Sequence, residues 1–133
     1  MSMLGELLYP SAAHPRTLFA TLAWWEARRG KFNLIVGATG LFTLAMISLM
    51  GLVPPGVPMH FDWRPIALYA LLANICYSFG FPLEVALRRF LGRGAPAVGP
   101  AIFRQGLAFS VGLTLMPIVL VSFAWVVRLF AAL

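Results

Sequence analysis

The side chains best placed to do chemistry fall on one stripe of one apolar stretch. Asn74, Tyr77, Phe81, Glu84 and Arg88 recur at intervals of 3, 4, 3 and 4, which puts all five on one face of a helix. A carboxylate inside a membrane-spanning helix costs about 2.5 to 3.5 kcal/mol at mid-bilayer. Glu84 must therefore either handle a proton, cation or substrate, or be neutralised by a neighbour. Arg88 stands four residues after it, the favourable order for an ion pair along a helix. Asn74 lies near the middle of the same stretch and must face protein, because lipid offers its amide no partner. Asn74, Tyr77, Glu84 and Arg88 are thus candidates for a ligand or ion path, with an ion-paired helix face as the structural alternative.

The remaining chemistry is sparse. The chain holds one cysteine, two histidines and four acids in 133 residues. The patterns HExxH, GxSxG and CxxC are absent, so the sequence points to no catalytic residues and to no autonomous enzyme. Cys76 has no partner for a disulfide and sits in an apolar run as a small packing residue. His60, beside Asp62 and Trp63, is the one thinkable ligand for a metal or haem, but such a site needs several ligands and no second one is near in sequence. No cofactor and no metal are expected. The glycines around Arg93 match neither Walker A nor GxGxxG spacing, so no phosphate loop is expected there.

The elements that must position these residues are set by composition. The chain is 61% hydrophobic and only 11% charged, with a mean hydropathy of +0.89, far from the roughly 25% charged residues of soluble domains. Residues 33–53 carry no formal charge and end at Pro54-Pro55; a helix of that length spans about 31 Å, a bilayer's hydrocarbon thickness. A second span is expected over 65–87. Pro82 inside it leaves the Ser78 carbonyl without a donor and predicts a kink near Gly80-Phe81-Pro82. A third span is expected over 106–127, with Pro117 freeing the carbonyl of Leu113. Residues 53–64 and 90–105 are expected as connections rich in Gly and Pro, the latter with a small turn at 101–103.

Residues 1–31 are expected to form a cytoplasmic and interfacial segment, with no cleavable leader. Within it, an in-plane amphipathic helix is predicted from Pro15 to Gly30, with Leu18, Leu22 and Trp25 at i, i+4 and i+7. Trp24, Trp25, Arg28 and Arg29, together with Trp63 at the opposite surface, are expected as membrane-interface anchors. Small residues suggest the helix contacts: Gly37 and Gly40 on the first span, Ala108 and Gly112 on the third. The predicted fold class is an all-α integral membrane protein, a single domain of three transmembrane helices plus the N-terminal interfacial helix.

Of the ten cations, eight (Arg16, Arg28, Arg29, Lys31, Arg88, Arg89, Arg93 and Arg104) fall on one side of this topology, and only Arg64 and Arg128 on the other. The positive-inside rule then puts the N-terminus in the cytoplasm and the C-terminus outside. The expected setting is a bacterial inner membrane, and the arginine-heavy cation set fits a GC-rich genome. The net charge of +6 is accounted for by topology and by anionic lipid headgroups, so no nucleic-acid partner is expected. Packing features outnumber chemical ones. The expected role is a structural or accessory subunit of a larger membrane complex, working with a membrane-protein partner or as a homo-oligomer. The alternative is an oligomeric channel, small transporter or holin-like pore lined by the Asn74/Tyr77/Glu84 stripe.

Overall fold

Thr17 starts the first helix, α1 (Leu18–Leu52): its hydroxyl accepts the Ala20 N–H at 3.3 Å, satisfying one of the unpaired donors of the first turn. Pro54-Pro55 forbids continuation past Val53. There the indole N–H of Trp125 donates to the Val53 carbonyl at 2.9 Å. The computed structural model describes residues 17–58, 60–92 and 98–133. Three further helices follow: α2 (Trp63–Ser78), α3 (Gly80–Leu91) and α4 (Gly99–Ala131). α1, the α2–α3 pair and α4 are each long and apolar enough to cross a bilayer. The chain is an all-α membrane protein.

Two boundaries differ from expectation. α1 runs through Gly30 without interruption for 35 residues, so the expected interfacial helix and the first span form one element about 52 Å long. A lone glycine costs a helix interior only about 1 kcal/mol, and no proline follows to enforce an end. Pro15 itself, like the rest of residues 1–16, lies outside the described residues. At the other boundary, residues 99–105 are the opening turns of α4, where Pro100 suits the first turn. The turn expected at 101–103 is therefore helix.

The break inside the second span falls where Pro82 requires it. The Phe79 N–H is shared between the carbonyls of Ile75 at 3.3 Å and Cys76 at 3.2 Å, a tightened turn that separates α2 from α3.

α1 and α4 pack against each other along their lengths, and α3 closes against both at one end. α2 leans away from this pair and buries only Tyr77. It is tied across by long polar side chains: the Tyr69 hydroxyl lies 2.5 Å from the Thr114 hydroxyl and 3.2 Å from the Ser110 carbonyl. Thr43 on α1 donates to the Thr114 carbonyl at 2.9 Å. The core is aromatic and aliphatic, built from Trp25, Phe32, Val36, Tyr77, Phe103 and Leu107.

The small-residue seam is corrected at Gly37, Ala108 and Gly112. The inward face of α1 carries Thr21, Trp25, Phe32, Val36, Thr43, Ile47 and Gly51; Gly37 lies one residue off it, and Gly40 falls between Val36 and Thr43. A methyl group added at Gly37 or Gly112 would meet nothing within 4 Å, and one at Gly40 would make only ordinary contact with Thr114 at 3.8 Å. Ala108 is exposed. Threonines and rings fill the contact between the helices, Thr43 reaching the Thr114 carbonyl directly. Gly37→Ala and Gly112→Ala are accordingly expected to shift stability by no more than about 1 kcal/mol, in the direction of helix propensity. Thermal unfolding in detergent checks this; a larger loss would place those glycines against a second chain.

Candidate functional site

The site is assembled around Glu84 on α3, whose side chain is fully buried. One carboxylate oxygen, Oε1, lies 2.7 Å from Arg88 Nη2, one turn along the same helix. The other, Oε2, accepts the indole N–H of Trp25 on α1 at 2.7 Å. Arg88 in turn donates to the Thr21 hydroxyl at 3.3 Å, and Thr21 donates to the Thr17 carbonyl at 2.9 Å. The third wall is α4. Gly99, its first residue, leaves room for the carboxylate; any β-carbon there would collide with both oxygens. The N-terminal turn of a helix presents unpaired N–H groups and the positive end of its dipole. Guanidinium, indole and helix terminus thus all compensate one negative charge.

α3 has its polarity turned inside out. Gly80 and Glu84 face the other helices, while Leu83, Phe90 and Leu91 are exposed. This is the arrangement expected of a helix whose surroundings are lipid and whose polar groups must be satisfied by protein.

Around the carboxylate lies a cage of rings. Trp25 stands edge-on to Tyr77 with centroids 5.4 Å apart, and Phe103 approaches both at 6.2 to 6.3 Å. Phe32 closes on Tyr77 at 4.6 Å. These are favourable offset and edge-to-face geometries. The Tyr77 hydroxyl donates to the Trp25 backbone carbonyl at 2.6 Å. Gly80 is the position where the Trp25 ring rests on α3, with no room for a side chain.

A second, more open group of polar side chains runs along the α1/α2 crevice. Arg29 pairs with Glu26 at 2.7 Å and reaches the Ser78 hydroxyl at 3.2 Å. The Asn33 amide donates to the Asn74 side-chain oxygen at 3.2 Å, and the Asn74 amide donates to the Ala70 carbonyl at 3.0 Å. The stripe expected from spacing is therefore split. Tyr77, Glu84 and Arg88 join one buried cluster, and Asn74 belongs to a separate contact with Asn33.

Of the expected interface anchors, Trp25 is corrected: it is 3% exposed and belongs to the core. Trp24 is half-buried, with the Arg28 guanidinium 3.8 Å from its ring centre. Trp63 is exposed at the start of α2, next to Asp62, whose carboxylate accepts the Arg64 N–H at 3.0 Å. His60 is exposed in the loop before it. Among the described residues no three His, Cys, Asp or Glu side chains gather closely enough to hold a metal ion.

Spacing within α3 exposes the Glu84 and Arg88 pair, but not Thr21, Trp25, Gly80 or Gly99. The signals at Trp25 are the tandem tryptophan and its place on the Leu18/Leu22/Trp25 stripe, and nothing local links it to a residue 59 positions away.

The cluster joins α1, α3 and α4 through one carboxylate. Both Glu84 oxygens are engaged and neither meets solvent. Two lateral crevices flank α2, of about 550 Å³ beside Gly80 and Phe103 and about 490 Å³ beside Gly37 and Asn74. Both are lined almost wholly by apolar groups, as suits lipid chains. No protein family, curated protein or solved structure matches this chain.

Proposed function

We propose that the chain is a structural or accessory subunit of a larger membrane complex. The observation that carries this reading is the engagement of its polar groups: Tyr77, Glu84 and Arg88 are turned between the helices and hydrogen-bonded there. The outward faces instead carry large apolar side chains such as Phe42, Leu71, Phe109 and Phe123, suited to lipid and to a partner's helices. A pore reading keeps one supporting observation, the Asn33 and Asn74 amides in the α1/α2 crevice, which are not fully buried. Native purification in mild detergent, followed by mass spectrometry, should recover a second membrane protein in fixed ratio. Ion flux in vesicles containing this chain alone, abolished by Asn74→Leu, would replace the subunit reading with the pore.

The proposed setting is a bacterial inner membrane with the N-terminus in the cytoplasm, supported by the eight-to-two distribution of cations. On a Cys76→Ser background, an impermeant thiol reagent applied to intact cells should label Val57→Cys and spare Leu91→Cys. Labelling of Leu91→Cys from outside would invert the topology.

A further inference from the structure

We infer that Arg28 and Trp24 form a binding site for the phosphate of a single anionic phospholipid. The Arg28 guanidinium carbon lies over the Trp24 ring, 3.8 Å from its centre, and one terminal nitrogen donates to the Trp24 carbonyl at 3.3 Å. Its Nε is buried and has no hydrogen-bond partner among the described residues. The neighbouring acids are already engaged, Glu26 by Arg29 and Glu84 by Arg88. Arg28 is thus held rigid and partly desolvated with no carboxylate opposite it among the described residues. With Nε buried and one terminal nitrogen on the Trp24 carbonyl, the other terminal nitrogen is left for an outside acceptor, and a charged guanidinium donor favours a phosphate over any neutral lipid group.

Depth and charge select the ligand. Arg28 precedes the charge-free stretch at Asn33 by five residues, about 7 Å along a helix axis, which places it in the headgroup layer where lipid phosphates lie. Trp24 also stands against Phe103 at 6.2 Å, which fixes the ring on α4. Lys31 adds a second positive charge on α1, while Glu26, the only acid on that stretch of α1, is occupied by Arg29. The indole supplies the amphipathic surface that sits between headgroup and chain. The occupant is an anionic glycerophospholipid, recognised through its phosphate, and the site stands whichever complex the chain joins.

The test is native mass spectrometry of the detergent-purified chain titrated with phosphatidylglycerol, phosphatidylcholine or inorganic phosphate. Wild type should retain one phosphatidylglycerol, with weaker retention of phosphatidylcholine. Arg28→Gln should weaken phosphatidylglycerol binding about tenfold or more, the usual worth of a charge-assisted contact. Arg89→Gln removes the same net charge at an exposed position and should bind as wild type does. Circular dichroism in lipid-free detergent checks that both variants keep wild-type helicity; should Arg28→Gln unfold, Arg28→Lys serves in its place, keeping the charge, losing the planar fork and binding more weakly than Arg89→Gln. Equal loss in the Arg28 and Arg89 variants would reduce the effect to bulk charge and overturn the site. Competition by millimolar inorganic phosphate as effective as added lipid would also overturn it, because a free anion rather than a lipid would be the ligand.

Discussion

Glu84→Ala is expected to destabilise the folded chain by about 3 to 5 kcal/mol, the usual cost of removing one partner from a buried ion pair. The size of the effect follows from burial. A solvent-exposed pair at the same i, i+4 spacing would contribute only about 0.3 to 0.5 kcal/mol, and the Glu84 and Arg88 spacing alone predicts no more than that. The structure adds the Trp25 indole and the α4 terminus at Gly99 to the same carboxylate. Its loss strips an acceptor from a buried donor, removes the counter-charge 2.7 Å from Arg88, and opens a void among three helices. Glu84→Gln keeps the volume and can still accept from Trp25, so its cost should be smaller, about 1.5 to 3 kcal/mol for the lost charged interaction. Pairing it with Arg88→Gln should recover part of that loss, giving a coupling of about 0.5 to 3 kcal/mol. Unfolding in mixed micelles, followed by circular dichroism against denaturant detergent, measures all of these. A change under about 0.5 kcal/mol for Glu84→Ala would return the pair to the status of a surface contact.

What could be seen in the sequence was whatever covalent structure or short-range spacing dictates. Pro82 has no N–H, so the break before it follows from its identity alone, and α2 gives way to α3 at Phe79. Glu84 and Arg88 are neighbours on any helix, so their pairing also follows. Gly30 did not end a helix because a glycine permits termination without compelling it, and the residues beyond it continue the pattern. The seam was misplaced by a single position at Gly37, beside the buried Val36, while Gly40 falls between Val36 and Thr43 on the inward side. In a soluble helix hydrophobicity would mark the inward face, but in lipid both faces are apolar, and one residue of shift turns a helix by about 100°. The contacts that define the site, Trp25 to Glu84 and Glu84 to Gly99, join separate helices. Their signals are a ring and a glycine whose meaning appears only once the helices are brought together.

Gly80→Ala is the second large effect expected, and it isolates that tertiary meaning from the carboxylate. A β-carbon at Gly80 would overlap Cη2 and Cζ3 of the Trp25 ring and lie 3.0 Å from Cζ2. The ring has little freedom to retreat. Tyr77 stands against it at 5.4 Å, Phe103 at 6.2 Å, and its N–H is tied to Glu84 at 2.7 Å. Either α3 moves outward or the indole swings and gives up its acceptor, an overpacking cost of about 1 to 3 kcal/mol. That is opposite in sign to the gain alanine normally brings a helix interior, which Gly37→Ala, with open space around it, should show. The decisive comparison is the double variant. Trp25→Leu is costly alone, because it removes a large buried ring and a donor to Glu84, yet in that background the added methyl at Gly80 no longer meets the six-membered ring. The two changes should therefore be less than additive by about 0.5 to 3 kcal/mol. Strict additivity, measured by the same unfolding assay, would mean that α3 does not rest on Trp25 and that the wall of the Glu84 cluster lies elsewhere.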